Sequence, residues 1–164
     1  MDAKRGLEPI IDANSHTLIL GTLPGDESLR TGQYYANPAN QFWRILEGVY
    51  AEPVGSTYAS RVAFLRARGL ALWDLLRSAQ RVGSSDANIK RCLANDFEHL
   101  FATHRAIKAV VLSGTKCATE WRRLRLSTDG IRVECVPSTS PTPGRHVLSL
   151  EEKIVAWRKA LRGA

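Results

Sequence analysis

T-L-I-L-G at Thr17–Gly21, running directly into T-L-P-G-D-E-S-L-R-T-G-Q-Y-Y-A-N-P-A-N-Q-F-W over residues 22–43, decides how the chain is read. The first five residues are a short apolar run closed by glycine, the pattern of a buried strand feeding a loop. The loop ends where Phe42, Trp43, Ile45, Leu46 and Val49 fall at helical spacing, which predicts a helix over 40–49. Outward from this unit the alternation repeats. An amphipathic helix is expected over 60–68, closed by Gly69, then a strand over 70–75 that ends near Asp74. Ser84, Ser85 and Asp86 offer helix N-cap groups to a segment running towards His104. A third strand is expected at 107–112, turning through Ser113-Gly114-Thr115 into a helix that runs to Arg125. A fourth strand is expected at 131–136, then the loop 137–145 and a last helix over 149–161, with Ser149 and Glu152 as a capping box.

Alternating strands and helices imply an α/β fold: a largely parallel sheet with helices on both faces. In such sheets a site lies beyond the carboxyl ends of the strands. The segments there are 22–40, 74–86, 113–116 and 137–146. No internal repeat, low-complexity tract or linker interrupts the 164 residues, so a single domain over 1–164 is expected.

Composition narrows the function classes. The chain carries 23 Lys+Arg against 16 Asp+Glu, a net charge of +7. Arginine dominates the cations and matches phosphate geometry, so nucleic acid is a natural partner; the plainer alternative is a charge that only keeps the protein soluble. Cys92, Cys117 and Cys135 stand far apart, which argues against a disulfide framework, a zinc site or an iron–sulfur cluster and for buried free thiols. No apolar run approaches membrane-spanning length, and no apolar stretch follows the charged start. A cytoplasmic or nucleoid location, no membrane partner and no metal or organic cofactor are the expectations.

Two loops carry the chemistry. The first lacks both G-x-x-x-x-G-K-[ST] and G-x-G-x-x-G, which disfavours nucleoside triphosphatases and dinucleotide enzymes. It places two adjacent tyrosines, Tyr34 and Tyr35, ahead of Asn37 and Asn40. The second, P-S-T-S-P-T-P-G-R at 137–145, combines rigid prolines with the small hydroxyls of Ser138, Thr139 and Ser140. It leads to Arg145 and His146, which stand ready for phosphates.

T-G-Q-Y-Y-A-N-P-A-N-Q-F-W-R-I-L resembles the first motif region of mismatch-specific uracil-DNA glycosylases. The fuller set is G-T-L-P-G-x-x-S-L, Q-Y-Y, N-x-F-W, G-L-A-L-W-D, S-S-D-A-N-I and P-S-T-S-P. It looks closer still to the hypoxanthine-DNA (deoxyinosine) glycosylase branch of the uracil-DNA glycosylase superfamily, and spans about 7–157 in the right order. The resemblance implies a three-layer α/β/α fold with a central four-stranded parallel sheet (uracil-DNA glycosylase-like). It also implies DNA across the strand ends, flipping of a deaminated base, uracil or hypoxanthine, and hydrolysis of its N-glycosidic bond. A monomer is expected.

The same resemblance assigns residues. Tyr35 matches the position on which the flipped base stacks; the alternative is packing against Phe42 or Trp43. Leu23 stands where the mismatch-specific branch holds a water-positioning Asn. The hypoxanthine branch uses the Asn of N-x-F-W, here Asn40, whose alternative use is as a helix N-cap. Apart from the resemblance, Asp26 and Asp86 are the back-up carboxylates, Asp26 because it lies in the first loop within reach of a water; Asp86 reads more simply as a helix cap, and Asp74, at a strand end, as a tie between loops. Ser113 is where several branches read the base edge, or a cap for the following helix. Ser138, Thr139, Ser140, Arg145 and His146 match the DNA-gripping motif, in which Pro141-Thr142-Pro143 replaces the usual leucine wedge. No lysine is positioned for Schiff-base chemistry, so a monofunctional enzyme is expected. A non-catalytic single-stranded DNA-binding or lesion-sensing protein of the same fold is the alternative, invited by Leu23.

Overall fold

The computed structural model describes residues 2–141 and 147–163. Its centre is a four-stranded parallel sheet in the order β3-β2-β6-β7. The strands are β2 (Thr17–Gly21), β3 (Leu70–Asp74), β6 (Ala109–Ser113) and β7 (Arg132–Val136). All five residues of β2 and of β6 are buried, which is why these strands read as unbroken apolar runs. The two-residue period sorts the core into two halves. Ile19, Leu72 and Val111 face one side and pack with α2 (Phe42–Tyr50), α3 (Tyr58–Ala67) and α6 (Leu150–Arg162). Leu18, Leu20, Val110 and Leu112 face the other, with Phe97 and Leu100 of α4 (Phe97–Thr103) and Cys117 and Trp121 of α5 (Thr115–Leu124). The fold is therefore the three-layer α/β/α arrangement expected. The register pairs Gly21 with Asp74 and Ser113 with Val136, bringing the carboxyl ends of the strands to one edge.

A short helix, α1 (Asp26–Thr31), interrupts the first loop. The capping box on α6 is present as expected: Ser149 Oγ accepts from Glu152 N–H and Glu152 Oε2 from Ser149 N–H.

The structure departs from the sequence reading over 76–104. In place of a capped helical segment there is a three-stranded antiparallel sheet, ordered β1-β4-β5. Its strands are β1 (Lys4–Arg5), β4 (Leu76–Gln80) and β5 (Lys90–Ala94), with a single 3-10 turn at Asp86–Asn88 before α4. The register of β4 on β5 shifts twice, and β5 keeps three of five residues exposed or charged outward, so neither strand shows clean alternation. Ser84 does cap a helix, but a distant one: its Oγ accepts from Asp26 N–H at the start of α1 (2.9 Å). The cysteines are free, yet only Cys117 is buried; Cys92 is half-buried, packed against the edge of the α4–α5 core, and Cys135 is exposed.

Candidate active site

The strand ends open into a cavity of about 480 Å³, lined by residues of the first loop, by Asp74, Asp86 and Ser113, and by Ser138–Pro141 of the second loop. The sequence-predicted residues Leu23, Asp26, Tyr35, Asn40, Ser113, Ser138, Thr139 and Ser140 all reach this one wall. Arg145 and His146 lie outside the described residues. Four carboxylates, Asp26, Glu27, Asp74 and Asp86, line the cavity, and among the described residues no lysine or arginine does. No group of three or more His, Cys, Asp or Glu side chains among the described residues could hold a metal ion.

The adjacent tyrosines divide the work. Tyr34 is core: it is buried, its hydroxyl donates to Glu8 O (2.8 Å), and its N–H donates to Tyr58 Oη. Tyr35 turns the other way because its backbone sits in the left-handed region, φ 51°. Its ring stacks on Phe42 with centroids 4.0 Å apart and planes 15° from parallel. The same ring thus packs on Phe42 and lines the cavity. Burial pushes its phenol well above the ordinary value, so it is neutral.

Asn40 lies before α2 rather than inside it. Its Oδ1 accepts from Phe42 N–H (2.9 Å), so the side chain does cap the helix, from one residue before the formal cap Gln41. An amide oxygen has two lone pairs, so this bond fixes the side chain while leaving one acceptor site. Asp26 is exposed and tied into an ion pair with Lys4. Leu23 lines the cavity while packing into the α4–α5 core. Ser113 does not cap α5; its N-cap is Gly114, without a side-chain bond.

The second loop is held by its backbone. Pro137 O accepts from Trp157 Nε1 (3.0 Å), Thr139 O from Gln41 N–H (3.0 Å) and Ser140 O from Lys153 Nζ (3.1 Å). Lys153 also donates to Gln41 Oε1 (2.7 Å) and is almost wholly buried, which lowers its pKa. This strut escaped sequence reading because it lies on an ordinary amphipathic helix. Thr139 is 2% exposed and lines the cavity, whereas Ser138 is exposed and its Oγ accepts from Ser140 N–H. Gly114, at φ +89°, lets the loop approach: a Cβ there would stand 3.3 Å from Ser138 Cβ.

Two residues that the sequence reading ranked low or passed over shape the floor. Arg81, 1% exposed, donates to Pro24 O, to Leu23 O (3.4 Å) and to Gly83 O (2.8 Å), pinning the first loop to the end of β4. Asp74, 4% exposed, has an Oδ2 with no hydrogen-bond partner among the described residues. Its pKa is pushed up to about 7, first by burial and then by the charge of Asp86, against the pull of Arg81. The half-buried Asp86 is itself raised by desolvation, with Arg81 and Lys116 opposing. The sequence signal for Asp74 was its place as the last residue of an otherwise apolar strand.

A carboxyl raised in this way has a stability signature. The folded chain keeps a proton that the unfolded chain releases between the ordinary value of 3.8 and about 7, so stability falls as pH rises through that window. Asp74→Asn is expected to exceed the native chain in stability above pH 7, by up to about 4 kcal/mol, with the gap closing towards pH 4. Denaturant melts across pH check this; parallel pH curves for the two proteins would contradict a buried neutral carboxyl.

The architecture and this site have relatives. A model of the uracil DNA glycosylase superfamily matches residues 8–160. A protein of Methanosarcina barkeri named hypoxanthine DNA glycosylase is 34% identical over 160 residues, covering 97% of this chain and 98% of that one. One of the same name from Methanosarcina acetivorans is 36% identical with the same coverage. A solution NMR structure of a candidate uracil DNA glycosylase from M. acetivorans superimposes with a TM-score of 0.81 at 31% identity, covering 98% of this chain and 99% of that one. With the family model matching almost end to end and the same parallel sheet beneath the cavity, the chain belongs to the uracil DNA glycosylase superfamily.

Proposed function

We propose that the chain is a monofunctional DNA glycosylase that draws a deaminated base, hypoxanthine or uracil, out of DNA and hydrolyses its N-glycosidic bond, opening base-excision repair. The observation that carries this reading is the joining of Tyr35 and Asn40 in one cavity at the strand ends, in a chain whose full-length relatives are named hypoxanthine DNA glycosylase. Stacking on Phe42 holds the Tyr35 ring at the cavity wall, where an entering base would stack on it. Base–aromatic stacking of this kind contributes about 1–3 kcal/mol.

In the reaction the C1′–N bond breaks and its electron pair leaves with the base. Water oxygen bonds to C1′, giving a hydroxyl, and the water's proton ends on the base nitrogen. The sugar passes through an oxocarbenium-like state, as in other glycoside hydrolyses. Asn40, fixed by its bond to Phe42 N–H, orients the water through its remaining acceptor site. The carboxylates of Asp26, Glu27 and Asp86 around the cavity favour positive charge on the sugar. Lys116 is paired with Glu120 (2.7 Å), and no lysine among the described residues lines the cavity, which supports hydrolysis over a Schiff-base lyase.

The test is incubation with oligonucleotides carrying a single deoxyinosine or deoxyuridine, followed by alkali. Strand cleavage at the modified position, and none in unmodified DNA, is the expected result. A gel shift without cleavage on either substrate would instead make the chain a DNA-binding protein of this fold. No helix among the described residues is long and apolar enough to cross a membrane.

A further inference from the structure

Asp74 is the one buried carboxyl on the cavity floor, and the hydrolysis just described does not use it. Three observations of geometry converge on it. Its Oδ2 is buried with no hydrogen-bond partner among the described residues, a condition that costs folding free energy and is rare in native proteins. Asp74 lines the cavity in which Tyr35 and Asn40 meet. Gly21, paired with it across the sheet, has no Cβ; one built there would stand 2.7 Å from Asp74 Oδ1 and 3.0 Å from the Tyr35 hydroxyl. The missing side chain thus lets the carboxyl and the stacking ring close around one point.

We propose, resting on the glycosylase reading, that Asp74 meets the flipped base as a neutral carboxylic acid and donates its proton in a hydrogen bond to a carbonyl oxygen of that base. The proton stays on the carboxyl throughout. Hypoxanthine and uracil each set a ring N–H beside a carbonyl, and the second carboxyl oxygen accepts that N–H. As the C1′–N bond breaks, the base takes up negative charge that spreads onto its carbonyl oxygen. A donor aimed there in a dry site stabilises the departing base, whereas an ionised carboxylate would repel it.

The groups facing Asp74 keep the titration simple. Tyr34, Tyr35 and Cys117 are all raised by burial, so they stay neutral across pH 6–9. Arg81 remains cationic, and Asp86 is the acidic neighbour that favours the proton on Asp74.

The experiment is single-turnover excision from deoxyinosine and deoxyuridine duplexes between pH 6 and pH 9, for the native chain and Asp74→Asn. The native rate should fall as pH rises through about 7, approaching tenfold per unit above it. Asparagine keeps one donor and one acceptor and cannot ionise, so Asp74→Asn should excise with a flat profile and overtake the native chain at pH 9. A folded Asp74→Asn that is inactive at every pH overturns the proposal. So does a native rate that is level or rises from pH 6 to pH 9, a result that decides the matter even if the variant fails to fold. Native protein that excises neither base at any pH removes the glycosylase reading itself, an outcome distinct from both.

Discussion

Asn40→Ala is expected to lose about 100-fold or more of single-turnover excision while DNA affinity stays close to native. An orienting group acts through geometry, and displacement of a reacting atom by about 1 Å can cost that much. The bond from Phe42 N–H to Asn40 Oδ1 makes the prediction specific. It holds the amide by one acceptor site, so the second points in a direction set by the start of α2. Alanine also removes a cap, at about 1 kcal/mol of stability, so loss of fold has to be separated from loss of chemistry. Asn40→Asp does this: aspartate can accept the same Phe42 N–H and still hold a water, and it should retain a measurable part of the rate. Excision by Asn40→Ala at the native rate would leave Asn40 as a cap only.

Gly21→Ala carries the second large effect. The new Cβ would lie 2.7 Å from Asp74 Oδ1 and 3.0 Å from the Tyr35 hydroxyl. Asp74 is short, and its backbone is locked opposite Gly21 in the β2–β3 register, so its oxygen has little room to retreat. The stacking ring and the carboxyl must part instead, and excision is expected to drop by about 100-fold. Overpacking at such a site costs about 1–3 kcal/mol, which a melt measures separately. Gly25→Ala is the control on the same cavity. A Cβ there meets Ser84 Oγ at 3.5 Å, an ordinary contact, and activity should change little. Equal behaviour of the two variants would show that the space above Gly21 is not used.

The parallel sheet was legible because β2 and β6 are buried on both faces and leave unbroken apolar runs between glycine and polar turns. The β4–β5 hairpin was not. Its residues Leu76 and Ala79 are buried while Arg77, Lys90, Arg91 and Leu93 are exposed, and two register shifts break the period on which strand recognition depends. Serine and aspartate at 84–86 looked like local caps, yet Ser84 caps α1 from 58 positions away in the chain, a pairing that only tertiary structure creates.

In the site, Tyr35 and Asn40 stood out because the Q-Y-Y and N-x-F-W segments resemble family motifs whose tyrosine and asparagine serve the base and the water. Asp74 was passed over as a tie between loops, since a carboxylate at a strand end usually faces water. What distinguishes it is the absence of a partner for Oδ2, and a missing bond leaves no mark in sequence. Arg81 was hidden for the same kind of reason: its guanidinium is satisfied by the carbonyls of Leu23 and Pro24, and carbonyl acceptors carry no residue signature.

Hydrolytic release of a base is the central claim, and the mass of the products reads it directly. A deoxyinosine or deoxyuridine duplex is treated with the native chain, and the unheated, alkali-free products are analysed by mass spectrometry. The account predicts free hypoxanthine or uracil together with a full-length strand bearing one abasic sugar. A strand already cut at the abasic position would contradict the monofunctional reading, and DNA recovered with its base intact would contradict the glycosylase itself.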